Sequence, residues 1–327
     1  MHVQLLHLDD SLYHQQEFLR VCEAEGASQI DLRQEASPIR LWGKDRDLQA
    51  LSAALPPVNG ARLTFMGSGD FHHVTALLAG QVAASRDEPF TIVQFDNHPD
   101  WVHFKGGLHC GSWINRALQQ PKVQKIVNIG VTSSDLNWPE LRGGNLRLLT
   151  EGRLELFPYA HAPSRVWRHY GEGESFIQKG RLLHWRCIGG MSGEEFLPRL
   201  LNSIGTPDIY ITVDKDVLAD KDAAANWEQG QMPLQRLIAL IRQLGAKRRV
   251  IGADVAGDFG TPHYPGSAWM QLLKRGELWV DRARRPFDVV SAAGRNAASN
   301  LQLLAVFKEV MGEPQLHSAQ AQTENAG

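Results

Sequence analysis

Asp96, His98 and Asp100 occupy alternate positions in the segment Phe95-Asp96-Asn97-His98-Pro99-Asp100, directly after an apolar run, FTIVQF, at 90–95. In extended backbone, side chains two apart project to the same side, so two carboxylates and an imidazole converge while Asn97 and Pro99 face away. That donor set suits a hard to borderline divalent cation. A second apolar run, DIYITV at 208–213, ends in Asp214-Lys215-Asp216. Asp214 and Asp216 share a face, and two acids so close would raise each other's pKa unless a cation sat between them. A third run, RLTFM at 62–66, leads into Gly67-Ser68-Gly69-Asp70-Phe71-His72-His73. The glycines allow a sharp turn and a close approach of backbone to a site, and one of the two histidines supplies a nitrogen donor, His72 being preferred over His73. One His, then Asp-His-Asp, then Asp-Asp makes six side chains. That is too many carboxylates for one tetrahedral zinc and a better match to a bridged pair of divalent ions.

Residues so far apart in sequence meet only if several strands end at one edge. Short apolar runs at 62–66, 90–95, 125–130, 208–213 and 249–255 read as buried strands. Helical patterns lie near 74–85, 112–120, 193–204, 232–244 and 295–311, the last with Leu301, Leu304, Phe307 and Val310 three apart. Strand then helix, repeated, predicts an α/β fold with a mainly parallel sheet covered on both faces. Such open sheets place ligands at the carboxyl ends of their strands, where both acid clusters fall. The stretch 10–55 reads as two helices flanking an extended piece, SPIRLW, and 131–180 as long loops with one or two strands. One domain is expected over 1–312, with a polar, aromatic-free tail at 313–327 expected to be disordered.

The chain has 327 residues, 43% of them hydrophobic and 21% charged, enough to bury a large core. Thirty-four Lys+Arg against 36 Asp+Glu leave a net charge of −2, so no global field attracts phosphate backbones or anionic membranes. A small-molecule substrate is therefore expected, with neither nucleic acid nor membrane as partner. The basic clusters Lys247 to Arg249 and Arg282 to Arg285 read as solvated faces, and scattered tryptophans such as Trp269 as packing residues. The first residues carry acids where a signal peptide is basic, no apolar run approaches a membrane span, and three widely spaced cysteines suggest no disulfide framework. A cytoplasmic location is the expectation.

A glycine- and histidine-bearing turn after a strand, then D-x-H-x-D, then D-x-D after a late strand, resembles the ureohydrolase superfamily of arginases and agmatinases, over residues 60 to 260. Gly106-Gly107-Leu108-His109-Cys110-Gly111 adds to the likeness, because arginases have a similar glycine-flanked histidine lining the active site. The resemblance implies a three-layer α/β/α domain around an eight-stranded parallel sheet, with two Mn2+ ions at its carboxyl edge. It implies that His72, Asp96, His98, Asp100, Asp214 and Asp216 hold the metal, with Asp96, Asp100 and Asp214 contacting both ions or bridging. It further implies hydrolysis of a C–N bond at a planar guanidine, amidine or imine carbon by metal-activated hydroxide, Asp100 holding a proton and His109 delivering one to the leaving amine. Relatives often form trimers or hexamers, so a homo-oligomer is possible.

The chain departs from that family at Gly252-Ala253-Asp254-Val255-Ala256-Gly257-Asp258. Register places Gly257 where arginases carry a glutamate that grips the guanidinium, and Asp258 compensates only if the loop shifts. A desolvated planar cation needs a paired acid, so the substrate is expected to differ from arginine or agmatine. Trp227 and Glu228, after the second metal strand, are candidate pocket-wall residues. Cys110 is expected to point away from its neighbour His109. The alternatives are a deacetylase-like enzyme with a single Zn2+, in which His72-His73 resembles a paired acid and base, and a metal-binding homologue without activity.

Overall fold

Strands buried on both faces read as nearly continuous apolar runs, and eight strands, most of them such runs, form the centre of the molecule in the computed structural model, which describes residues 1–57, 59–264, 271–274, 276 and 288–312. They are β1 (His2–His7), β2 (Ser28–Asp31), β3 (Arg62–Phe65), β4 (Phe90–Phe95), β5 (Val123–Ile129), β6 (Leu154–Phe157), β7 (Asp208–Asp214) and β8 (Arg249–Ala256). The order across the sheet is β2-β1-β3-β8-β7-β4-β5-β6, with every neighbouring pair parallel. This is the three-layer α/β architecture anticipated. Alternate residues of one strand feed opposite layers: Ile209, Ile211 and Val213 join one core, Tyr210 the other.

The main helices among the described residues are α1 (Gln16–Ala24), α2 (Asp45–Ala54), α3 (Thr75–Ala84), α4 (Trp113–Ala117), α5 (Gly193–Ser203), α6 (Leu234–Gly245) and α7 (Val289–Met311), besides single turns at Arg33–Ala36 and Arg147–Thr150. The core under Ile209 and Ile211 also takes in Phe18 of α1, Phe196 of α5, Leu237 of α6 and Phe307 of α7, whereas Leu48 of α2, Leu78 of α3 and Trp113 of α4 pack with Tyr210 on the opposite face. α7 begins earlier than its apolar spacing suggests, because the Asp288 carboxylate accepts the Ser291 N–H at 2.9 Å and caps the first turn. α4 is shorter than expected: a 3-10 turn, Cys110–Ser112, takes Ser112, and the helix stops at Ala117.

Three sheet strands lie outside the predicted set. β2 (SQID) holds one large apolar residue and alternates between half-buried and exposed positions, as an edge strand does. β6 lies in the stretch 131–180, read as long loops with one or two strands, and an antiparallel sheet of Ser164–Arg165, Phe176–Lys179 and Leu182–Trp185 begins in that stretch and runs past its end. In SPIRLW, Pro38 opens a 3-10 turn, Ser37–Ile39, and only Trp42–Gly43 is strand, paired antiparallel with Leu108–His109. That short pairing ties the His109 loop to the segment before α2. No helix among the described residues is long and apolar enough to cross a membrane. The tail at 313–327, Trp269 and the cluster Arg282 to Arg285 lie outside the described residues.

Candidate metal centre

Sheet register alone brings the two acid clusters together. Val213 of β7 pairs with Phe95 of β4, so Asp214 and Asp96 are the next residues along two adjacent strands, about 4.8 Å apart across the ladder. β3 lies one strand beyond β8, and the turn after it, Gly69–Val74, carries His72 to the same edge. Gly69 is required there, since a Cβ at that position would lie 2.9 Å from Asp214 Oδ2.

All six expected ligands converge. His72 Nδ1 lies 3.1 Å from Asp96 Oδ2, 3.2 Å from Asp100 Oδ2 and 3.5 Å from Asp214 Oδ2. His98 Nδ1 lies 2.8 Å from Asp216 Oδ2 and 3.8 Å from Asp96 Oδ1. Two groups have ligand atoms close enough to share an ion, His72-Asp96-Asp100 and Asp96-His98-Asp216, and Asp96 belongs to both. Asp100 reaches its place through a left-handed backbone, φ +49°, uncommon for a residue with a side chain. Gln94 donates to Asp96 Oδ2 (2.7 Å) and Asp100 Oδ2 (3.1 Å), and the Trp113 indole donates to Asp100 Oδ2 at 2.6 Å. The His98 amide donates to Asp96 Oδ1 (2.6 Å), the Asn97 amide to Asp216 Oδ1 (3.0 Å) and the Asp216 amide to Asp214 Oδ1 (3.1 Å).

Electrostatics show what this cluster lacks. Burial, reinforced by Asp96, pushes the Asp100 carboxyl well up, and burial with repulsion from Asp214 and Asp96 does the same to Asp216. Burial also raises Asp214 to about 6. Against the cost of burying a charge, Asp100 and Asp96 hold His72 well above the usual imidazole range, as Asp216 holds His98. Left to themselves, these groups neutralise by sharing protons. Four buried carboxylates with two imidazole nitrogens are the donor set of divalent cations that prefer oxygen, so the residues fit a metal pair.

His73 is fully buried and does not line the cavity; burial, with the nearby His109, Lys274 and His72, lowers its pKa to about 3. Of the two, His72 is thus the one whose ring meets the carboxylates and the cavity, as expected of a ligand, and His73 does not join it there. The cavity over the cluster holds about 200 Å³ and is lined by the six ligands, His109, Cys110 and Trp227, among others. Trp227 is held by an indole hydrogen bond to Asp70 Oδ1 (3.0 Å), and Asp70 also receives the Arg40 guanidinium at 2.6 Å. Cys110 faces the cavity beside His109, contrary to expectation, because the 3-10 turn beginning at Cys110 breaks the alternation of extended backbone.

The architecture matches solved structures. Arginase from Bacillus cereus superposes with a TM-score of 0.52 at 12% identity, covering 96% of this chain and 99% of that one. Arginase from Entamoeba histolytica gives 0.52 at 10% identity, with coverage of 92% and 97%. Formimidoylglutamase from Bacillus subtilis gives 0.50 at 13%, with 94% and 87%. The chain has the arginase fold. No family model matches it. An uncharacterized protein of Thermotoga maritima is 25% identical over 196 residues, 60% of this chain, and the match spans 58% of that relative's length.

Within the arginase fold, the end of β8 differs from expectation. Gly257 has φ +93°, and a Cβ there would lie 2.2 Å from the Lys215 nitrogen and 2.4 Å from Asp214 Oδ1, so this backbone admits no side chain. Asp258 does not replace the missing acid. It is 2% exposed, pairs with the fully buried Lys215 ammonium and does not line the cavity. Lys215 also donates to Asn300 Oδ1 of α7 at 2.8 Å. Lys215 opens a 3-10 turn, Lys215–Val217, with its side chain directed to Asp258 and Asn300, and a buried ammonium needs a counter-ion there. Glu228 is likewise corrected. Its side chain is exposed outside the cavity lining, and its contribution is a carbonyl that accepts the Asn97 side-chain amide at 2.8 Å. Asp135 and Arg142, 3.8 Å apart on the loop after β5, line the cavity and were not anticipated; that aperiodic loop carries no pattern to single them out.

Two outcomes test this account. Asp258→Ala strands the Lys215 ammonium and is expected to lower stability by about 3–5 kcal/mol in urea unfolding. Asp214, raised to about 6 in the metal-free fold against an ordinary 3.8, contributes stability that is complete below pH 3.8 and lost as the pH rises through about 6. In protein stripped with chelator, the stability of wild type relative to Asp214→Asn should therefore fall across that window, and added divalent cation should reverse the trend.

Proposed function

We propose that the chain is a hydrolase of C–N bonds in small molecules that works with two divalent ions, manganese being the expected metal. The observation that carries this reading is the pair of ligand groups sharing Asp96. One ion would be held by His72, Asp96 and Asp100, the other by Asp96, His98 and Asp216, with Asp214 beside His72. Ions bound there supply Lewis acidity and bring the pKa of water toward neutral. Asp100, whose carboxyl is raised by burial and by Asp96, is suited to hold a proton within the cluster. His109 Nδ1 accepts the Gly111 N–H at 2.8 Å, which leaves Nε2 as the proton-bearing nitrogen of the neutral ring. In the neutral ring that Nε2–H orients a departing amine from the cavity wall by a hydrogen bond, and the protonated ring delivers a proton from Nε2 to it.

The cavity suits a small guanidino, amidino or related molecule. It argues against one whose guanidinium must be gripped by an acid from the end of β8, because Gly257 has no room for a side chain and Asp258 is engaged by Lys215. The same missing acid favours a second reading, a chain that binds metal without turnover.

Elemental analysis should find about two manganese per chain, in the manner of two-metal hydrolases; one zinc per chain would favour the deacetylase-like alternative. A screen of guanidino compounds, amidines and acyl-amines, assayed for ammonia, urea or amine release with added Mn2+, addresses the reaction. Asp96→Ala should lose metal and activity together. His109→Ala should keep both ions while turnover falls about 10²–10⁴-fold. Full activity of a metal-free Asp96→Ala protein would overturn the proposal, and tight metal binding without turnover of any compound would leave the second reading.

A further inference from the structure

Two residues before Asp96 and Asp214, the apolar sheet is crossed by a row of buried polar side chains. Thr64 of β3 pairs with Asp254 of β8, Asp254 with Thr212 of β7, Thr212 with Gln94 of β4, and Gln94 with Asn128 of β5. All five are at most 1% exposed. Buried polar groups in a sheet interior are costly unless their hydrogen bonds are made, and here several point upward to the cluster. Gln94 donates to Asp96 and Asp100, Asn128 donates to the His98 carbonyl (2.8 Å), and Thr212 Oγ1 lies 2.9 Å from His72 Nε2.

Asp254 sets the direction of the last of these contacts. Its carboxylate accepts the hydroxyls of Tyr210 (2.6 Å), Thr212 (2.6 Å) and Thr75 (3.0 Å). A hydroxyl has a single proton. Having given it to Asp254, Thr212 can only accept from His72, so His72 carries its proton on Nε2. The lone pair of the neutral ring then lies on Nδ1, the atom facing Asp96, Asp100 and Asp214 at 3.1 to 3.5 Å. A lone pair among carboxylate oxygens is repulsive without a cation and is a ligand with one.

We propose that Asp254, acting through the Thr212 hydroxyl, is a positioning residue that holds His72 in its metal-binding tautomer and thereby sets the affinity of one of the two ions. This rests on the metal-dependent reading above. The geometry also makes the effect one-sided: His98, in the second ligand group, has Asp216 as its near partner and no contact with Thr212.

The test is Mn2+ titration of the full chain by calorimetry, with elemental analysis after dialysis. Thr212→Val removes the acceptor, and one of the two ions should bind about 10–100-fold more weakly, so that stoichiometry falls toward one at limiting metal. Thr212→Ser, which keeps the hydroxyl, should restore wild-type binding. Asp254→Leu, of similar size, removes the acceptor of the Thr212 proton, lets Thr212 donate to His72 and should weaken the same ion. Wild-type affinity at both ions in Thr212→Val would overturn the inference. So would equal loss in the Val and Ser variants, or equal weakening of both ions, because either marks packing rather than the hydrogen bond. Should wild type itself bind no divalent ion, the metal-dependent reading fails first, and with it this inference.

Discussion

Four carboxylates buried within hydrogen-bonding distance of two imidazoles form an arrangement that the chain cannot keep charged without help. Mutual repulsion and desolvation act together there, so the site demands either protons or divalent cations. Much of the surrounding structure serves to hold the oxygens in place against that repulsion. Backbone amides of Asn97, His98 and Asp216 point at carboxylates. The Gln94 amide and the Trp113 indole hold Asp100 and Asp96 from below and beside. Such an array of donors favours ionised carboxylates and leaves them poised for a cation.

The strands β4 and β7 meet this demand because they are neighbours in register. A shift of one residue in their pairing would turn either Asp96 or Asp214 to the other face of the sheet. The apolar residues that share one face, Val93 and Phe95 on one strand and Ile211 and Val213 on the other, with Ile92 and Tyr210 on the opposite face, make such a slip expensive, so the core protects the site's alignment as well as the fold. The cluster's neighbours are anchored in turn. Asp70 collects Arg40, Trp227 and Asn226, binding the His72 turn to the segment before α2 and to the loop after β7.

Much of this was legible in the sequence. The central strands β3, β4, β5, β7 and β8 announced themselves as apolar runs; five of the expected ligands followed from alternation past the ends of β4 and β7, and His72 from the glycine-bearing turn after β3. The edges were less legible: β2 is short and half-polar, and β6 sits in a stretch without period. Within the site, Gln94, Thr212 and Asp254 were passed over because a single polar residue inside an apolar run carries no local signal. Their meaning lies in lateral register, which places them in one row across the sheet. Parity offered a hint, since Gln94 and Thr212 stand two residues before Asp96 and Asp214. Asp258 was misassigned for a related reason, because its partner Lys215 lies on a different strand end and no linear pattern connects them.

The end of β8 bears on how such a protein could change over evolutionary time. Gly257 sits with positive φ against the main chain of the ligand-bearing segment, so a one-step replacement by an acid would displace the very aspartate that the site requires. Acquiring a guanidinium-gripping side chain at this point would call for prior remodelling of the turn. The obstacle at this turn is therefore steric, a space that admits hydrogen alone, and not merely the absence of a carboxylate.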